Sequence, residues 1–192
     1  MKFVVATNNG GKLQEFRDIL KEFGHEAVSL KEVNIDTDFE ETGETFRENA
    51  YMKAGTIAKL SGLPTIADDS GLMVEALGGE PGVYSARYCG RHGDDAANNE
   101  KLLEKMKGNK ERRAKFVSAV CAVFPDGRVL QAEGECPGEI LHEPKGNGGF
   151  GYDPLFYVPA LGKTFAQMDK TEKNMVSHRK KALDKLKILL SK

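Results

Sequence analysis

The feature that most narrows the fold is a hairpin. Phe116 to Phe124 is an apolar run suited to a central strand, Pro125-Asp126-Gly127 is a turn signal, and Val129 to Glu133 has the pattern of a returning strand. Strands joined by so short a turn run antiparallel, which excludes a purely parallel sheet. Elsewhere strands alternate with helices. Phe3 to Ala6 has the character of a buried first strand, and Leu13, Phe16, Ile19, Leu20 and Phe23 follow at helical spacing up to a stop at Gly24. Thr45 and Glu48 form a T-x-x-E capping box ahead of the stripe Phe46, Ala50, Ala54 and Ile57, with a stop near Gly62. Pro64 to Ala67 predicts a short buried strand running into Asp68-Asp69-Ser70-Gly71, and Asn98 to Met106 predicts a helix. The last helix carries Ala182, Leu183, Leu186, Leu189 and Leu190 on one face and lysines on the other. The class that follows is α/β with a mixed sheet. With 192 residues, no internal repeat and no linker, a single domain over 1–192 is expected.

Composition removes several function classes. Lys and Arg total 28 against 29 Asp and Glu, so the field of the whole chain is nearly neutral. Wrapping a nucleic-acid backbone needs many uncompensated cations, so no nucleic-acid partner is expected, even through the lysine-rich last helix. A local basic pocket for a small anion remains allowed. No apolar run approaches the roughly 20 residues that span a bilayer, and the start is too quickly polar for a signal peptide. Cys89, Cys121 and Cys136 lack zinc or redox spacing and are expected as free thiols in a reducing cytoplasm.

Four segments could carry chemistry. In the loop Thr7-Asn8-Asn9-Gly10-Gly11-Lys12, Asn and Gly tolerate positive φ, so backbone N–H groups could line one concavity beside the positive end of the next helix and Lys12. The loop then cradles phosphate; the plainer alternative is a strand-to-helix turn with an Asn cap. Asp68-Asp69, at the end of a predicted strand, can place one carboxylate on each side of it. With Glu40-Glu41 upstream, they suit a Mg²⁺ that keeps waters and meets substrate phosphates, or else they cap turns.

Ser177-His178-Arg179 at the start of the last helix offers donors to an anion or a base carbonyl, or is a solvated basic turn. Lys173 poses the same question, while Lys53 falls beside the apolar stripe of the second helix. Phe150-Gly151-Tyr152-Asp153, after a glycine cluster, can stack a base or plug the local core.

Taken together and in order, these segments resemble the inosine triphosphatase family, the pyrophosphatases for noncanonical purine nucleoside triphosphates (dITP/XTP pyrophosphatases). The resemblance runs from Thr7–Lys12 through Glu40–Phe46, Asn49-Ala50 with Lys53-Ala54, and Ala67–Leu72. It continues through Leu77–Gly79, Pro81–Arg87, Gly148–Pro154, Glu172-Lys173 and Ser177–Arg179. It implies a two-lobed α/β fold around a long, twisted mixed sheet, with the active site in the cleft and a homodimer. It also implies cleavage between the α and β phosphorus atoms to a monophosphate and pyrophosphate. By position, Thr7, Asn8, Asn9, Gly10, Gly11 and Lys12 would hold the triphosphate, Glu40 and Asp69 a Mg²⁺, and Asp69 would also accept the proton of the attacking water. Lys53, Ser70, Phe150, Gly151, Tyr152, Asp153, Lys173, His178 and Arg179 would complete the nucleotide site. A non-catalytic nucleotide sensor is the rival that such residues leave open.

Overall fold

The computed structural model describes residues 1–38 and 41–191. Its strands are β1 (Lys2–Val5), β2 (Glu26–Val28), β3 (Thr65–Val74), β4 (Arg113–Val123), β5 (Val129–Ile140), β6 (Phe156–Val158) and β7 (Lys163–Thr164). They form one sheet in the order β2-β1-β3-β4-β5-β6-β7. β1 is parallel to both β2 and β3, while β5, β6 and β7 are successively antiparallel, so the sheet is mixed as expected. The helices are α1 (Gly10–Glu22), α2 (Phe46–Ser61), α3 (Asp95–Lys105), α4 (Lys170–Val176) and α5 (His178–Leu190).

Local rules explain most boundaries. Thr45 and Glu48 form the reciprocal capping box of α2, and Gly62, at φ 65°, ends that helix in the left-handed conformation that costs glycine least. The β4–β5 turn closes through Phe124, whose N–H donates to Arg128 O at 2.9 Å and whose carbonyl accepts from Gly127 N at 3.0 Å. α3 begins three residues before the expected Asn98, because the Asp94 side chain accepts from Ala97 N and caps it there.

Two strands are longer than the sequence suggested. β3 does not stop at Ala67 but continues through Asp68, Asp69 and Ser70 to Val74. β5 runs past the expected Glu133, through Pro137 and Gly138, to Ile140. Glycine is required at 138, since a Cβ there would meet the Tyr157 carbonyl at 2.5 Å and the Phe156 ring at 2.6 Å.

The chain forms two compact units. The first comprises Met1–Asp69, Ser118–Gly134 and the chain from Arg179 onward. Its strands are buried on both faces, with successive residues going to different cores. Phe3, Val5, Ile66, Val120 and Ala122 pack with Phe16, Ile19 and Leu20 of α1 and Ala182, Leu183 and Leu186 of α5. Val4, Ala6, Ala67 and Cys121 pack with Ala50, Ala54 and Ile57 of α2. The second unit, Ser70–Val117 with Glu135–His178, has its own core, in which Leu102 and Met106 at the end of α3 meet Phe116, Phe156 and Phe165.

Candidate active site

The alternation that sorts Ile66 from Ala67 also sorts the two aspartates. Asp68 shares the face of Ile66, against α1 and α5, and Asp69 shares the face of Ala67, against α2. Each carboxylate therefore has a different helix for a partner, which is why two buried acids are tolerated inside a strand.

Asp68 is the structural member of the pair. Its Oδ2 accepts from Arg179 Nε at 3.1 Å and Nη2 at 2.7 Å, and its Oδ1 lies 3.3 Å from Lys12 Nζ. Glu15, near Lys12 on α1, accepts from Arg179 Nη1. Arg179 is 1% exposed and Asp68 2%. Burial alone would raise the Asp68 pKa, but Arg179 and then Lys12 outweigh it and hold the carboxyl far below its usual range. Lys12 is pushed the other way: burial, reinforced by the like charges of Lys53 and Arg179, lowers it despite Asp68.

Asp69 is set differently. Asn49 and Lys53, one turn apart on α2, both face it. Asn49 Nδ2 donates to Asp69 Oδ2 at 2.9 Å, while Asn49 Oδ1 accepts from Gly43 N at 2.8 Å. Lys53 Nζ stands 3.7 Å from Asp69 Oδ1 and donates to Glu41 Oε1 at 2.7 Å. Burial raises the Asp69 pKa, Glu41 adds repulsion, and the pull of Lys53, Lys12 and Asn49 does not cancel them. Neighbouring carboxylates in one strand are thus tuned in opposite directions.

Glu40, the expected second metal ligand, lies outside the described residues. Among the described residues no three His, Cys, Asp or Glu side chains gather to hold a metal without help. Mg²⁺ does not need such a cage, since it keeps waters and takes one or two carboxylates with substrate phosphates. Asp69, buried with a raised pKa and with the Glu41 carboxylate on the same ammonium, fits that chemistry. A divalent cation would relieve the repulsion the pair now carries.

The loop that opens α1 departs from the expected geometry. Gly10, Gly11 and Lys12 already belong to the helix, and neither glycine has a positive φ. Asn9, at φ −84°, is the N-cap and accepts from Lys12 N at 2.9 Å. The turn proper is Thr7 to Asn9, with Thr7 Oγ1 accepting from Asn9 N and Asn8 Nδ2 donating to Thr37 O. The plainer alternative, an Asn-capped turn, describes the backbone. The exposed helix N-terminus with Lys12 still offers an anion its positive end.

The remaining residues of the expected site lie in the second unit, apart from Arg179. Ser70 directly follows Asp69 in β3 and is half-buried. Asp153 Oδ2 accepts from Lys173 Nζ at 2.6 Å and from Phe150 N at 3.0 Å. The Lys173 ammonium sits over the Phe150 ring, 4.5 Å from its centroid. Gly149, at φ 74°, leaves the space where a Cβ would collide with the Asp153 carboxylate. Tyr152 is a core residue, its hydroxyl donating to Ser85 O at 2.8 Å, whereas Phe150 keeps part of its ring exposed. His178 stacks on Phe116 at 4.8 Å and 13°. Ser177, His178 and Arg179 are all buried, so the solvated-turn reading of this segment fails.

Asn49, Glu15, Asp95 and Asn99 were not singled out from sequence as site residues. Asn49 had a readable signal, a polar residue one turn before Lys53 on the apolar face of α2. The partners of the other three are distant in the chain, and no local pattern announces them.

Known proteins give a consistent picture. The Ham1 family model matches residues 3–189. A dITP/XTP pyrophosphatase of Clostridium perfringens is 51% identical over 194 residues, covering 97% of this chain and 95% of its own length. One from Haemophilus influenzae is also 51% identical, with 97% of both chains covered. Among solved structures, the Staphylococcus aureus Ham1 protein superposes with a TM-score of 0.87 at 45% identity, covering 100% of this chain and 98% of its own. A HAM1 protein from Coxiella burnetii gives 0.88 at 40% identity, with the same coverage. These matches bear out the resemblance read from the motifs and the mixed α/β class: the chain belongs to the Ham1 family.

Proposed function

We propose that this chain hydrolyses noncanonical purine nucleoside triphosphates, such as ITP, dITP and XTP, to the monophosphate and pyrophosphate, clearing deaminated purines from the nucleotide pool. The observation that carries the reading is Asp69, a buried carboxylate with Asn49 fixing one oxygen and Lys53 standing near the other. The relatives named dITP/XTP pyrophosphatase support it.

In this reading water adds across the α–β anhydride, and Asp69 accepts its proton. Burial raises the Asp69 pKa, which makes it a stronger base than a free aspartate. Lys12, Lys53 and the N-terminus of α1 (Thr7 to Gly11 with its cap) offset the charge of the triphosphate, and Ser70 contacts it. Asp69 with Glu40 would hold Mg²⁺, which would lower the pKa of the attacking water and stabilise charge on phosphoryl oxygens. Phe150 stacks the base, and Gly151 to Asp153, Lys173, His178 and Arg179 complete its recognition. A 6-oxo group accepts hydrogen bonds where the adenine amino group donates them, which disfavours ATP. The proposed setting is a cytoplasmic homodimer without nucleic-acid or membrane partners, consistent with near-neutral charge. No described helix is long and apolar enough to cross a membrane.

The test is product identity from ITP with Mg²⁺. Pyrophosphate with IMP supports the reading. Inorganic phosphate, or binding without turnover as the sensor rival requires, overturns it.

A further inference from the structure

Gly151 belongs to the loop assigned above to the base, and α3 takes both of its backbone groups. Asp95 Oδ2 accepts from Gly151 N at 2.7 Å, and Asn99 Nδ2 donates to Gly151 O at 2.8 Å. The two residues are four apart in one helix, so a single face of α3 presents an acceptor and a donor to one residue. The amide orientation of Asn99 is fixed, because Nδ2 also donates to Asp95 O at 2.7 Å and only a nitrogen can face two carbonyls. Gly151 sits at φ 62°, a left-handed conformation that leaves the loop free to relax unless something holds it. On either side, the loop is tied within itself through Phe150 N to Asp153 and to the core through Tyr152 and Ser85. The α3 clamp on Gly151 thus sets where the adjoining Phe150 ring stands under the Lys173 ammonium.

We infer that Asp95 and Asn99 are positioning residues for purine recognition, holding Gly151 so that Phe150 and Lys173 present a fixed surface to a planar base. This rests on the nucleotide reading above. Neither side chain touches the reacting phosphates, so their loss acts on binding and leaves the chemical step alone. Asn99→Asp keeps the shape but turns an oxygen toward two carbonyls, and Asp95→Ala removes the acceptor at an exposed position. Each raises KM for ITP about tenfold, the worth of one such hydrogen bond, with kcat within about twofold of the parent. Asp95→Asn retains an acceptor oxygen and restores KM, although it loses the same charge as Asp95→Ala.

Steady-state kinetics on ITP, with circular dichroism as the check on folding, decide the matter. Unchanged KM in both variants overturns the inference, as does a fall in kcat at constant KM. Asp95→Asn behaving like Asp95→Ala also overturns it, since charge at the start of α3 would then be the cause. If Asn99→Asp does not fold, Asp95→Ala and Asp95→Asn suffice. A parent enzyme that releases no pyrophosphate from ITP removes the nucleotide reading and this inference together, an outcome distinct from all of these.

Discussion

The two units are built from different materials. In the first, four carboxylates (Glu15, Glu41, Asp68, Asp69) and three cations (Lys12, Lys53, Arg179) are interleaved on both faces of one strand. In the second, a buried acid–amine pair, Asp153 with Lys173, has its ammonium over the rings of Phe150 and Phe165. Interleaved charge suits a ligand part that is itself highly charged and must be held against water. Ring faces with one fixed cation suit a flat, neutral part. A nucleoside triphosphate has one of each, and the contrast lets the two functions be broken separately.

The largest effect should come from the first unit. Asp69→Asn keeps size and hydrogen-bonding reach but removes the proposed base, so pyrophosphate release should fall by about 10²–10⁴-fold with the fold intact. Near-parental turnover at saturating Mg²⁺ would show that Asp69 is not the proton acceptor. Its neighbour should fail in another way. Asp68→Ala strands Arg179 and Lys12 without their shared carboxylate, and breaking a buried pair typically costs about 3–5 kcal/mol. Urea unfolding should show that loss in protein without substrate; a cost below about 1 kcal/mol would mean Glu15 alone suffices for Arg179.

A smaller effect is expected from the second unit. Phe150→Ala removes the half-buried ring and leaves the Asp153–Lys173 pair standing. Base stacking on an aromatic is worth about 1–3 kcal/mol, so KM for ITP should rise by about tenfold or more while kcat changes little. Equal losses of kcat and kcat/KM would instead place Phe150 in the chemical step and erase the division between units.

Much of this was legible from sequence because its signals are local. The α2 capping box, the Gly24 and Gly62 stops and the Pro125–Gly127 turn depend on neighbours a few residues away, and all hold. What was missed is non-local. Asp68-Asp69-Ser70 reads as the end of a strand, because nothing nearby says that Arg179, 111 residues on, will neutralise Asp68. The run of β5 beyond Glu133 was missed too, and the close approach of Tyr157 that demands glycine at 138 belongs to another strand. β6, β7 and α4 are too short for a hydrophobic period to show. In the site, the residue types were readable, but the separate partners of Asp68 and Asp69 depend on which helix covers which face of β3.

That division yields the finest test, a difference of sign between adjacent residues. Asp68 has a folded pKa far below its unfolded one, so its charge stabilises the fold at any pH above the unfolded value, near 4. This stability drains away only as pH falls below that value toward strongly acid conditions. Asp69 has a folded pKa above its unfolded one, so the folded state holds its proton more tightly, and stability falls as pH rises through the interval between the two. In chelator-treated protein at neutral pH, Asp68→Asn should therefore unfold more readily than the parent and Asp69→Asn less readily. The advantage of Asp69→Asn should shrink as pH is lowered through the carboxylate range, because protonation then relieves the parent of the same strain. Thermal melts of the three proteins across pH 4 to 8 would show the two curves departing from the parent on opposite sides. Both falling on the same side would mean that Lys53 and Asn49 compensate Asp69 as fully as Arg179 compensates Asp68.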